Sequence, residues 1–145
     1  RAALGQAFAD ALRERDAQAT PEQQEQAREK AFRAPVLLLV VVDECGGDPE
    51  IAPSERLVSA GCAVQNLLLM ATALGFGSAL TSGKALQSQA LRGLFALGEG
   101  ERALCFVSVG TVVSRKPVRA RPVPAQYVGT LVPGRGVQPW PQQGE

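Results

Sequence analysis

The chain has no histidine at all, one Trp, one Tyr, one Met and three cysteines. Without an imidazole, none of its side chains can act as the base of a Ser–His or Cys–His mechanism. Cys45, Cys62 and Cys105 stand far apart and form no CxxC pair, so the chain lacks the ligand set of a zinc site. Cys62 falls in an apolar run and Cys105 in a strand-like one. Buried, reduced thiols are expected, a pattern that suits a cytoplasmic protein. Neither sign of charge dominates: Lys and Arg number 15, Asp and Glu 14, and no long basic block occurs. That leaves no electrostatic case for nucleic acid or an anionic membrane. So few aromatics also argue against a base-stacking platform.

What the chain does have is apolar content, 46% over 145 residues, enough for one domain with a real core. Most of it is concentrated in one place. No charge occurs between Arg56 and Lys84, and the run Leu57–Leu74 is expected to be a helix buried on almost every side. It is long enough to cross a membrane by count. Ser59, Gln65, Asn66 and Thr72 interrupt it, however, and Gly75-Phe76-Gly77 breaks its end, so it reads as a core helix. No signal peptide is visible, because the chain opens on a charged amphipathic segment. It starts at Arg1 with no Met, as a fragment would.

In chain order, Arg1 to Asp16 reads as an amphipathic helix with Leu4, Phe8, Ala11 and Leu12 on one face. Thr20-Pro21-Glu22-Gln23 is a helix start: Thr caps, Pro opens the first turn, and Gln23 closes a capping box. Ala34-Pro35 ends that helix, which runs to about Phe32. Val36–Val42 is continuously apolar, as a strand covered on both faces requires. After a loop holding Gly46-Gly47 comes the central helix, then a short strand at Ser78–Leu80. A second amphipathic helix is expected over Leu86–Leu97 and a strand over Leu104–Val113. Prolines then recur from Pro117 to Pro141 and exclude helix. This tail is expected to be either frayed or an extended arm that wraps a partner. The order of helices and strands indicates α+β or α/β layering around a small sheet.

Few residues suggest chemistry by pattern alone. Gly77 to Lys84 fails as a phosphate loop, because five residues separate Gly77 from Gly83 and Ala85 follows the lysine. Gly75-x-Gly77 is too short for a dinucleotide fingerprint and reads as a helix cap. Asp43, Glu44, Asp48 and Glu50 read as a solvated acidic loop. Thr81-Ser82-Gly83 is either an ordinary turn or a place where backbone amides approach a ligand closely. A flavin, with polar edge atoms around an apolar ring system, is the kind of ligand such a turn would suit.

The stretch Ser59-Ala-Gly-Cys-Ala-Val-Gln-Asn-Leu-Leu-Leu-Met-Ala-Thr-Ala-Leu-Gly-Phe-Gly-Ser78, followed by Thr81-Ser82-Gly83, resembles the FMN-dependent nitroreductase family, and within it the small YdjA-like branch. Ala34-Pro35 before an apolar strand and Phe106-Val-Ser-Val-Gly-Thr111 extend the similarity, which covers about residues 1–128. The resemblance implies a three-layer α+β sandwich, a central antiparallel or mixed sheet flanked by helices, in a domain-swapped homodimer with FMN at the subunit interface. It implies a nitroreductase-like domain over 1–128 and a proline-rich extension over 129–145. Leu80, Thr81, Ser82 and Gly83 match the positions that touch the flavin. Arg119 and Arg121, with Lys116 behind them, match the basic residues near its phosphate, though solvated tail charges are the plain alternative.

The family also opens with an Arg-Arg-Ser type segment that holds the phosphate, then an Arg-Ala-Pro segment and a Gln-Pro-Trp strand. Neither segment precedes Arg1, so this chain is expected to be the C-terminal part of a longer protein. The implied activity is NAD(P)H-dependent oxidoreduction. By a ping-pong cycle, hydride passes through FMN N5 to small-molecule acceptors such as nitroaromatics or quinones. No side chain need act as acid or base, which agrees with a chain lacking His. Two rivals stand beside it, a flavin-binding protein without turnover and a flavin-independent interaction module whose working part is the proline-rich arm.

Overall fold

The computed structural model describes residues 1–114 and 120–140. It divides into two compact units, Arg1–Val113 and Ser114–Glu145.

In the first unit, α1 spans Ala2–Arg15 and α2 spans Pro21–Glu29. The start of α2 is the expected capping box. Thr20 Oγ1 accepts from the Gln23 amide at 3.3 Å, and Gln23 Oε1 accepts from the Thr20 amide at 2.9 Å. Small residues let the two helices lie close together. A Cβ on Gly5 would stand 3.0 Å from the Arg28 carbonyl oxygen, and Ala9, Ala27 and Ala31 are all buried.

Three strands follow: β1 Val36–Asp43, β2 Gly77–Thr81 and β3 Glu101–Gly110. They form one antiparallel sheet in the order β1-β3-β2. The central strand puts Phe106 between Leu39 on β1 and Thr81 on β2. A bulge where Val40 pairs with Cys105 and Val41 with Ala103 breaks the alternation. It lets Ala103 and Phe106 face the same side while Leu104 and Cys105 serve the other.

Each face of the sheet carries a core. On one, Phe106 and Ala103 pack with Leu86 and Leu91, supported by Leu4 and Phe8 of α1. The Phe8 and Phe106 rings meet edge-on at 5.5 Å. Leu91 belongs to a short helix, α4, Gln89–Leu94, preceded by a 3-10 turn at Lys84–Gln87. The single helix expected over Leu86–Leu97 is therefore two pieces. Ser88 separates them, its hydroxyl accepting from the Leu91 amide and donating to the Ala85 carbonyl. On the other face, Cys105 and the fully buried Val107 meet Val64 of α3, which spans Pro53–Ala73. The result is the expected three-layer α+β arrangement: α1, α2 and α4, then the sheet, then α3.

The expectation for α3 itself needs correcting. Only Val64 and Ala71 are buried. Val58, Leu69, Met70 and Leu74 are 68, 58, 60 and 65% exposed, and Cys62 is exposed too. The sheet can cover only one face of a helix, and within the described residues nothing covers the other. By length and composition α3 could cross a membrane, but its Val64 face is packed on the sheet. The end of α3 is as expected. Gly75 has φ +81°, its amide donates to the Thr72 carbonyl, and the Phe76 amide reaches Ala71. These are the two bonds of a Schellman motif.

Of the three thiols, only Cys105 is buried, and burial pushes its pKa up. The expectation of buried thiols fails at Cys62 for the reason just given. It fails at Cys45 because that residue sits in the loop after β1, where Asp43 accepts amides from Cys45 and Gly46.

The second unit holds a hairpin, β4 Gly129–Val132 and β5 Gly136–Pro139, after a 3-10 turn at Pro124–Gln126. Part of the proline-rich stretch thus makes regular structure of its own. Its prolines sit where the ladder needs no amide: Pro139 lies at the hairpin's end and Pro133 beside the Gly134 turn.

Candidate functional site

β2 leaves the sheet at Thr81, whose hydroxyl lies 3.5 Å from the Phe106 carbonyl oxygen. Ser82 follows outside the strand, and Gly83 is extended, with φ 164° and ψ 173°. The chain then turns into Lys84–Gln87, which is held at its base. Ser88 is buried, and the Glu14 carboxylate of α1 accepts the Gln89 and Ala90 amides at 3.1 and 3.0 Å. The turn is thus fixed just behind Ser82 and Gly83 and leaves their amides in place but unused. Among the described residues the N–H groups of Ser82, Gly83 and Lys84 enter no hydrogen bond. A Cβ on Gly83 would meet nothing within 4 Å.

These residues border a cavity of about 360 Å³ between the sheet and α1. Its apolar floor is Phe8, Leu12, Leu37, Leu86 and Phe106. Its rim carries Arg15, Lys30, Arg33 and Lys84, and no Asp or Glu lines it. The volume is within the ~300–1,000 Å³ usual for small-molecule sites.

Strand alternation separates the four neighbouring residues singled out from the sequence. Thr81, Ser82 and Gly83 border this cavity. Leu80 faces the α3 side, where it lines a second cavity of about 320 Å³ with Val64, Leu68 and Cys105. Ser82 reaches both. Arg121 is exposed in the second unit, while Lys116 and Arg119 lie outside the described residues. The sequence reading missed Arg15, Lys30 and Arg33 altogether. They come from the end of α1 and the turn after α2, with no local pattern to link them.

The donor set can be judged against a flavin. Its dimethylbenzene side is apolar, and N5 and O4 lie together on one edge. Free main-chain donors beside an apolar floor, with open space where Gly83 lacks a side chain, fit that edge.

Comparison with known proteins bears on the same residues. The family model described as the nitroreductase family matches residues 1–111. YdjA of Escherichia coli K12, which carries a provisional NAD(P)H nitroreductase name, is 36% identical over 87 residues, covering 60% of this chain and 47% of YdjA. A Haemophilus influenzae protein with a similarly provisional name is 40% identical over 88 residues, covering 59% of this chain and 46% of that protein. The chain thus spans about half the length of the curated relatives it matches. A solved nitroreductase-like protein of Bacillus cereus superposes with TM-score 0.67 at 19% identity, over 90% of this chain and 68% of that one. The FMN- and NADPH-dependent nitroreductase NfnB of Sphigopyxis sp. strain HMH gives 0.57 at 22%, over 86% of this chain and 55% of that one. At these identities the two solved structures speak to the fold alone.

Proposed function

Since the chain belongs to the nitroreductase family, we propose that the protein is an NAD(P)H-dependent FMN oxidoreductase. It works by a ping-pong cycle on small electron acceptors of the nitroaromatic or quinone class. We place it in the cytoplasm, as a homodimer with FMN at the subunit interface. The nitroreductase-like domain is assigned to 1–128, with 129–145 as an extension.

When bound, FMN supplies a two-electron carrier between NAD(P)H and the acceptor. The task left to this chain is to hold and orient. Ser82 and Gly83 would offer main-chain N–H groups to the N5 and O4 edge and so fix the position of the nitrogen that takes up hydride. Thr81 and Leu80 flank them on opposite faces of β2, Leu80 against the α3 side. Arg119 and Arg121 are assigned to the phosphate.

The single observation that carries this reading is the pair of unspent amides at Ser82 and Gly83, at the edge of an apolar-floored cavity. Their test is Ser82→Pro, which deletes one donor. The full-length variant should purify with much less flavin than the parent at equal protein and unchanged circular dichroism. Unchanged flavin content would remove this loop from the cofactor site.

A further inference from the structure

We propose that Glu14 is a positioning residue for the cofactor site. Its carboxylate ties the end of α1 to the start of α4 and so fixes the spacing between α1 and the Ser82–Leu86 loop, two walls of one cavity. This rests on the reading that Ser82 and Gly83 meet the flavin edge. It adds the residue that keeps those walls in register before FMN arrives.

Most carboxylates among the described residues are engaged close by. Asp10, Asp16, Glu25, Asp43, Asp48 and Glu101 accept from groups within four residues of themselves. Glu44 reaches Arg102 at 3.1 Å, but β1 and β3 are already paired beside it, Asp43 against Glu101. Glu14 is different. It accepts the Gln89 and Ala90 amides at 3.1 and 3.0 Å, across 75 and 76 residues of chain. Among the described residues no other hydrogen bond joins α1 to α4.

Apolar contact alone would leave these two helices free to slide. Leu4 and Phe8 of α1 pack against the cluster that holds Leu86 and Leu91, and hydrophobic attraction has no direction. Two charge-assisted bonds to one carboxylate fix both distance and rotation. They also complete the start of α4. The Ser88 hydroxyl takes the Leu91 amide and Glu14 takes the other two, so none of the first three amides is left over.

The tie reaches the cavity by a short path. The Ser88 hydroxyl and amide donate to the Ala85 carbonyl at 2.7 and 3.1 Å, and the Leu86 amide donates to the Gly83 carbonyl at 3.1 Å. On the other side, Phe8, Leu12 and Arg15 bring α1 itself to the cavity. Glu14 does not line it, so it acts there only through these neighbours.

The test uses the full-length protein carrying Glu14→Ala, beside Glu14→Gln, which keeps one acceptor oxygen. Glu14 is exposed, so circular dichroism should match the parent. Fluorescence titration of the apoprotein should give Glu14→Ala an FMN Kd ~10-fold higher, the result of walls correctly spaced about a tenth as often. Glu14→Gln should fall between the two. At saturating FMN, kcat should stay within ~2-fold of the parent, because bound flavin then holds the walls. Hydrogen exchange reads the tie without flavin or turnover. In Glu14→Ala the Leu86 amide should exchange ~10-fold faster while that of Val107, in β3, is unchanged. A parental FMN Kd in Glu14→Ala, or a Leu86 amide as slow as the parent's, would overturn the proposal. So would a kcat at saturating FMN that falls as far as the affinity, since that places the damage in the working site. Flavin lost by Ser82→Pro but held fully by Glu14→Ala would reject the tie and leave the loop's assignment standing. Flavin held fully by Ser82→Pro but weakened by Glu14→Ala would do the reverse, with the tie acting through the α1 wall.

Discussion

Three glycines of this chain lack a side chain for different reasons. Gly5 has the Arg28 carbonyl 3.0 Å from where its Cβ would stand, and Gly75 ends α3 at φ +81°. Gly83 has neither constraint: its backbone is extended, as any residue's can be, and its surroundings are open. Gly83→Ala should therefore leave thermal stability within ~0.5 kcal/mol of the parent. If a flavin edge lies against that spot, the added methyl should weaken FMN binding ~10-fold, which fluorescence titration of the apoprotein would measure. Equal affinity would put the ring elsewhere. At this scale the sequence was readable where a motif is contiguous. Thr81-Ser82-Gly83, a contiguous run of small residues, stands at the border of a cavity. Arg15, Lys30 and Arg33 could not be read, because only the fold brings the end of α1 next to the turn after α2.

Among the elements, α3 shows both the strength and the limit of hydropathy. Its start, its end and its contact with the sheet follow from composition and capping. Its burial does not, because an apolar run reports what a helix can bury and not which neighbours are there to cover it. Val58, Cys62 and Leu69, at spacings of four and seven, share the face opposite Val64 and Ala71. If this face meets a second copy, Leu69→Asp should convert the dimer to monomer with helicity intact, as sedimentation and circular dichroism would show. In the same variant Cys62 should become as reactive toward a thiol reagent as Cys45, while Cys105 stays inert. A dimer unaffected by the charge would put the subunit contact on another surface. The split of Leu86–Leu97 into two pieces was also beyond the pattern. Its apolar spacing continues across Ser88, and only the hydroxyl's bonds to Ala85 and Leu91 reveal the break.

For the whole molecule, the alternation of helices and strands along the first unit pointed to layers around a small sheet, while the family resemblance, not the pattern, implied three of them. The second unit was not legible. Proline argued against helix there but did not predict the hairpin, in which Pro133 and Pro139 occupy positions that need no ladder amide. Tyr127, Leu131 and Val137 remain 69, 73 and 73% exposed there, an apolar surface without cover among the described residues. Deleting Pro122–Glu145 should shift the dimer toward monomer if that surface grips a partner subunit; an unaltered sedimentation profile would reject that role. The sheet order has its own outcome. With β3 in the middle, both outer strands of the sheet present a row of backbone groups that no third strand takes up among the described residues. Unfinished rims of this kind recruit whatever extended polypeptide they meet first, including misfolded siblings. Wherever those rims stay bare, correct capping competes with clumping, and slower synthesis with abundant chaperones favours the first.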